Sequence, residues 1–351
     1  MNGSRRRWLQ LAGACASTLW LPRGSWSQPR LADDPFSLGV ASGDAGPDSV
    51  VLWTRLHRPG QPAAALGTQP LTLRWELAHD EGFARLAARG QAIAHPDLAH
   101  AVHVEVRGLE PARTYWYRFM AGDAVSPVGR TQTVPAPQDL PGRVRLAYAS
   151  CQKWEDGHFT AWRHMRQDDP QGVVFLGDYL YEYPARGSRI RVPDGGWVLT
   201  LDDYRRRYAQ YKGDADLQAM HAACPWWVTW DDHEVQNDYA GEQPGNSGSA
   251  DPAPPGAFLA RRAAAYQAWY EHMPVRASVL QPVAAGEAPG RSLRIHRRVQ
   301  FGRLLDLYLL DARQYRHPQV CTRGNALGSS MVNPAQCPSW DDPARSLLGL
   351  E

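Results

Sequence analysis

The stretch Val173-Val174-Phe175-Leu176-Gly177-Asp178-Tyr179-Leu180-Tyr181-Glu182-Tyr183 constrains the fold more than any other. Four apolar residues in a row, two of them β-branched and none alternating with a polar neighbour, predict a strand buried on both faces. Gly177 ends the run, and Asp178 falls where the strand gives way to a loop. In open α/β sheets ligands gather at the carboxyl ends of strands, which places this carboxylate well for chemistry. Tyr181, three residues on, can present a phenol oxygen to whatever Asp178 holds. Gly-Asp is also an everyday turn pair, so its weight depends on the other strand ends.

Two further strand ends carry the same kind of signal. Arg143–Ala149 reads as a strand closing on Ser150-Cys151. His158–Gln167 reads as a helix, with Phe159, Trp162 and Met165 at helical spacing. A right-handed crossover of this kind makes the two strands neighbours and brings Cys151 and Asp178 to one rim. Alone, Cys151 is more simply a structural thiol. Leu201–Lys212 and Asp214–Ala222 read as helices, the second capped by Asp214. Pro225–Trp230 then reads as a third strand, ending in Asp231-Asp232-His233-Glu234. Packed carboxylates repel one another and shift their pKa values unless a cation sits among them. A solvated acidic turn is the plain alternative; three successive strands ending in potential ligands favour a metal site.

The preceding segment reads differently. Ser49–Leu56, Leu71–Leu77, Ala101–Val106, Thr114–Met120 and Val125–Thr133 are short β-rich runs separated by turn residues, the pattern of an all-β sandwich. Leu109-Glu110-Pro111-Ala112-Arg113-Thr114-Tyr115 predicts a tyrosine corner. No cluster of acids, histidines or nucleophiles occurs there, so residues 36–135 are expected to frame a site rather than to form one. Residues 136–142, within the Pro/Gly-rich Val134–Gly142, form the expected linker to a catalytic domain at 143–351.

Residues 1–27 read as an address. Ser4-Arg5-Arg6-Arg7-Trp8-Leu9-Gln10 resembles the twin-arginine export motif. The apolar stretch that follows, Leu9 to about Leu21, falls short of the about 20 residues needed to span a bilayer, and Ser25-Trp26-Ser27 offers a cleavage point. The expectation is export by the twin-arginine machinery to the periplasm or beyond, with no stable membrane anchor. The net charge of +2 belongs to this segment: 38 basic residues less its four arginines leave 34 against 36 acids. That balance argues against a nucleic-acid partner. Cys15 leaves with the signal, and Cys321 and Cys337 could pair in an oxidising compartment. Cys224 reads as a buried apolar residue, although a Cys151–Cys224 disulfide would also be compatible with the sequence.

Taken in order and spacing, Ser150-Cys151, Gly177-Asp178-x-x-Tyr181 and Trp230-Asp231-Asp232-His233-Glu234 resemble the PhoD-like alkaline phosphatases and related phosphodiesterases. Phe36-Ser37-Leu38-Gly39-Val40-Ala41-Ser42-Gly43-Asp44 and Val51-Leu52-Trp53-Thr54-Arg55 are similar to that family's amino-terminal domain. The resemblance implies a fibronectin- or immunoglobulin-like all-β sandwich followed by a partial α/β metallophosphoesterase-type (αββα) domain. It also implies a metal-dependent phosphoric ester hydrolase, in which a metal-activated hydroxide attacks phosphorus with no covalent enzyme intermediate. By resemblance, Asp178 is the carboxylate bridging two metals, and Cys151 and Tyr181 are ligands of iron(III). Asp232 binds a second metal, expected to be calcium, and His233 contacts phosphate or the leaving oxygen. Asn237 is a further candidate for metal or phosphate contact, and Asp231 is left without an assigned role. Thiolate and phenolate suit a trivalent iron, and carboxylate oxygens suit a hard calcium ion.

Beyond these motifs, Ala257–His272 reads as a helix, Arg291–Gln300 and Leu304–Leu310 as strands, and Asp342–Glu351 as the start of a helix. Family members continue further, and the Gly-Asp-x-His block that the resemblance implies does not occur in these 351 residues. The expectation is an incomplete catalytic domain with an uncovered apolar sheet face and little phosphatase activity on its own. The competing expectation is a secreted β-sandwich binding protein with an inactive, metal-free catalytic half. Small phosphate monoesters or diesters and phospholipid head groups would all suit the same metal core. The loops Tyr183–Gly196 and Ala240–Pro255 would then select among them.

Overall fold

A computed structural model describes residues 34–349 except 62, 186, 188, 246–250, 255, 281–292 and 323–332. The export segment, residues 1–27, lies outside the described residues. The chain opens with β1 (Val40–Gly43), β2 (Ser49–Arg55), β3 (Leu71–Ala78), β4 (Leu86–Ala94) and β5 (Ala101–Arg107). It continues through β6 (Thr114–Ala121), β7 (Ala124–Val125) and β8 (Gly129–Gln132). After β9 (Leu146–Ala149) come α1 (Thr160–Gln167), β10 (Gly172–Phe175), α2 (Leu201–Lys212), α3 (Ala215–Ala223) and β11 (Pro225–Val228). α4 (Phe258–His272) and the hairpin β12 (Arg297–Phe301)–β13 (Leu305–Leu309) complete the order.

The expected sandwich followed by a separate α/β layer needs a correction. Strands β4-β3-β6-β7, with β8 on β6, form one antiparallel sheet, but the facing layer is shared. β5, β2 and β1 run on into β11, β10 and β9 as a single six-stranded sheet, joined where β1 pairs β11 in parallel. Two-sided burial explains the join. All four residues of β1 and all seven of β2 are buried, a pattern that belongs to a central strand rather than a half-solvated one. Val50 and Leu52 pack with Leu73, Trp75 and Tyr117 of the second sheet. Trp53 points the other way, and its Nε1 donates to the Glu271 carbonyl of α4 at 3.0 Å. The tyrosine corner forms as expected, with Glu110 N donating to the Tyr115 hydroxyl at 3.0 Å.

β9, β10 and β11 are parallel neighbours, with Phe175 opposite both Ala149 and Val228. Their carboxyl ends therefore share one rim. α2 has the predicted bounds, because Thr200 and Asp203 close a capping box at its start. Asp214 caps α3, accepting from Asp216 N and Leu217 N. Several boundaries differ from expectation: β9 starts at Leu146, β11 ends at Val228, the run Val125–Thr133 divides into β7 and β8, α1 starts at Thr160, β12 at Arg297, and residues 342–349 form turns rather than a helix. β9 and β13 are edge strands, and Tyr148 (75%), Leu176 (45%), Tyr308 (62%) and Leu310 (55%) on or beside them are exposed. These apolar side chains lie on or beside strand edges that have no partner among the described residues. Cys321 and Cys337 are bridged, whereas Cys151 and Cys224 are not.

Candidate active site

Two strand ends turn through left-handed backbone to reach the site. Cys151 has φ +58° and Asp178 φ +56°, a region that non-glycine residues seldom occupy and that clusters at functional sites. Cys151 N donates to Gly177 O at 3.1 Å, which ties the two ends together. The Cys151 thiol and the Tyr181 hydroxyl then both donate to Asp178 Oδ2, each at 3.3 Å. On the opposite side, His233 N donates to Asp178 Oδ1 at 3.4 Å. Asp178, Asp232 and His233 each place one potential ligand atom within 4.8 Å of the others. Four of the six residues singled out in the sequence thus gather around the carboxylate of a fifth, Asp178.

The sixth, Asn237, sits at the margin. Its backbone N donates to Glu182 Oε1 at 2.7 Å and its Nδ2 to Asp238 Oδ2 at 3.4 Å. Glu182 also accepts from His233 Nδ1 at 2.8 Å, so one fully buried carboxylate holds both the imidazole and the Asn237 backbone.

The third strand end is drawn in by Glu234. Its carboxylate accepts from Asp178 N (3.1 Å), Tyr179 N (2.7 Å) and Asp231 N (2.9 Å), stitching two loops together. The approach is so close that a Cβ on Gly177, whose φ is +112°, would lie 2.2 Å from Asp231 N. Gly177→Ala is therefore expected to cost on the order of 3 kcal/mol of stability from backbone strain and overpacking. A denaturant midpoint unchanged from the parent would refute this.

Arg313, from the turn after β13, meets the acidic cluster from the far side. Its guanidinium lies 2.5 Å from Asp231, 3.2 Å from Asp232 and 3.7 Å from Asp238. Asp232 Oδ2 also accepts from Asp238 N at 2.6 Å.

Sequence reasoning quotes Glu182 and Glu234 without giving them a task and passes over Arg313. A signal did exist for Arg313: Asp311-Ala312-Arg313 is a fourth polar cluster just after an apolar strand. For the two glutamates there was none, since their partners are backbone groups brought near only by folding.

Electrostatics strain the site as it stands. Burial, followed by the opposing charge of His233 and the repulsion of Asp231, leaves Asp178 above the ordinary carboxylate range. Asp232 is pushed up to about 6 and Glu234 to about 8, in each case chiefly by burial. Burial is also the first cause raising the Cys151 thiol and the Tyr181 phenol. For His233, burial favours the neutral ring, but the Glu182 carboxylate with Asp232 and Asp178 outweighs it, and the pKa rises to about 9. Thiol, phenol and carboxylates crowded together and all reluctant to ionise are a donor set that a cation would relieve. The residues present fit a metal.

The sequence profile of the PhoD-like phosphatases matches residues 146–351, and that of the PhoD-like phosphatase N-terminal domain matches residues 22–135. The chain belongs to the PhoD-like phosphatase family. It is 42% identical to alkaline phosphatase D of Bacillus subtilis (strain 168) over 360 residues, covering 99% of this chain and 58% of that protein. A solved structure titled "Structure of PhoD" superposes with a TM-score of 0.76 at 46% identity, over 82% of this chain and 54% of that one. The chain thus spans somewhat over half the length of these relatives. Within this PhoD-like frame the three strand ends at Cys151, Asp178 and Asp231 lie on one rim of the shared sheet. Among the described residues no helix is long and apolar enough to cross a membrane.

Proposed function

We propose that the chain carries the site of a metal-dependent phosphoric ester hydrolase, exported by the twin-arginine route to the periplasm or the medium. One observation carries the reading: a single carboxylate, Asp178, is shared between a thiol and phenol on one side and Asp232 with His233 on the other. Cys151, Asp178 and Tyr181 would hold iron(III), and Asp178 with Asp232 would hold calcium. Cations in such a cradle supply positive charge to phosphoryl oxygens and make an attacking water more acidic.

The chain's own residues set the geometry. Glu182 fixes His233 through Nδ1, leaving Nε2 as the ring atom that can hand a proton to the leaving oxygen or bond a phosphoryl oxygen. With a pKa of about 9, the ring carries that proton at neutral pH. Glu234 keeps the Asp178 and Asp231 backbones in register, and the Asn237 side chain faces Asp238 at the margin of the same cluster. The substrate class is a phosphate ester, either a small molecule or a phospholipid head group.

The test is spectroscopic. Protein loaded with iron should absorb in the visible through a Tyr181 phenolate, and Tyr181→Phe should bleach that band. Iron bound in equal amount and equal colour by Tyr181→Phe, or no iron by elemental analysis, would overturn the assignment.

A further inference from the structure

The turn after β13 carries two arginines that the metal reading leaves unused. Arg313 is 9% exposed, and its Nε and Nη2 meet Asp231 and Asp232. Its Nη1 lies 3.7 Å from Asp238 Oδ1, beyond hydrogen-bond reach, and that buried nitrogen has no hydrogen-bond partner. Three residues on, Arg316 Nε is likewise buried with no hydrogen-bond partner. The two guanidiniums lie close enough to feel each other. Arg316 is held below its ordinary value by burial and then by the charge of Arg313, while Asp238, Asp231 and Asp232 pull it back up.

The turn itself is rigid. Asp311 Oδ1 accepts from Arg313 N and Gln314 N, both at 2.9 Å, and from Trp230 Nε1 at 3.2 Å. Gln314 then clamps Leu293 through both of its backbone groups, at 3.0 and 2.6 Å. Neutralising Asp231 and Asp232 would account for one edge of Arg313, and Asp238 stands too far from Nη1 to accept a hydrogen bond there. Neutralisation accounts neither for the second edge nor for Arg316. A buried guanidinium N–H without an acceptor is costly, and two of them in one turn leave donors free for an acceptor from outside the chain. Preorganised donors of this kind suit an oxyanion, and the planar fork of arginine matches phosphate oxygens.

We propose that Arg313 and Arg316 form an anion clamp that binds the non-bridging oxygens of a phosphoryl group presented beside Asp232. This rests on the metallophosphatase reading above and adds to it the residues that grip the phosphoryl group. It makes Arg313 a ligand contact as well as a counter-ion to Asp231.

Inorganic phosphate is titrated by calorimetry into the full 351-residue chain, loaded with iron and calcium, and the metal content of each sample is measured. Arg313→Gln and Arg316→Gln should each weaken phosphate binding about tenfold, with Arg313→Lys recovering part of the loss and metal content unchanged. Unaltered phosphate affinity in both glutamine variants would overturn the clamp, even if their melting temperatures fall. So would a metal-loaded parent chain that does not bind phosphate. Failure of the parent to take up metal would instead sink the metallophosphatase reading on which the clamp rests. Should Arg313→Gln fail to fold, Arg316→Gln still decides, because Arg316 makes no ion pair among the described residues.

Discussion

Asp178→Asn will leave the protein folded while removing metal from the site and lowering metal-dependent phosphate ester hydrolysis on the order of 10³-fold, the several kcal/mol that metal charge stabilisation is worth. The fold should survive for local reasons. Asparagine tolerates the left-handed φ of +56° at this position, and its single amide oxygen can keep the Cys151 and Tyr181 contacts made at Oδ2, at the loss of the weaker His233 N contact at Oδ1. Removing a carboxylate that burial already resists can even add stability. The chemistry should fail because both sides of the site depend on that one carboxylate. Elemental analysis and thermal melting of parent and variant, run together, separate the two effects. An Asp178→Asn protein that keeps both metals would remove the bridging role, whatever its activity.

The metal-free chain will lose stability as pH rises from about 6 to about 9, and added iron and calcium will restore it more at pH 9 than at pH 6. His233 gives the clearest sign. Its folded pKa is raised to about 9 from 6.5, so the stabilisation by Glu182 is fully present below pH 6.5 and is lost as pH passes through 9. At 1.36 kcal/mol per pK unit, the net shift, to which Asp232 and Asp178 add, is worth about 3 kcal/mol. Glu234 acts in the same direction up to about pH 8, whereas the loss at Asp232 is mostly complete by about pH 6. With folded values raised to about 6 and about 8, the native state holds their protons where the unfolded chain has released them. Stability therefore falls as each is forced to ionise inside the site. A bound cation favours the ionised carboxylates and removes that part of the penalty. Melting curves at pH 6, 7.5 and 9 with and without metal measure this directly. A metal-free melting temperature that rises with pH over this range would contradict the electrostatic account of the site.

Much of the site was legible because its residues are attached to strands that can be recognised one at a time. A buried apolar run, its glycine stop and its helical crossover are local features, and parallel neighbours joined by a crossover must end on one rim. Cys151, Asp178 and Asp232 follow from that logic as candidates. The supporting acids did not. Glu234 binds three backbone N–H groups on two loops, and Glu182 binds an imidazole and a backbone N–H some 50 residues downstream. Nothing in the local sequence distinguishes such a glutamate from a solvated one. The sandwich misled for a related reason. β2 reads as an ordinary short strand and β1 does not read as a strand, and only their burial on both faces reveals a sheet that runs on into β11.

By itself, the sequence determined which strands end in ligand-type residues and in what order, because strand periodicity, turn residues and capping are properties of neighbours along the chain. Tertiary structure alone decided that Gly177 must be bare to pass Asp231 and that Glu182 and Glu234 are the braces. It also decided that Arg313 reaches the acids from a fourth strand end. Those contacts join residues tens of positions apart, and their energies depend on burial, which no stretch of sequence has until the chain has folded.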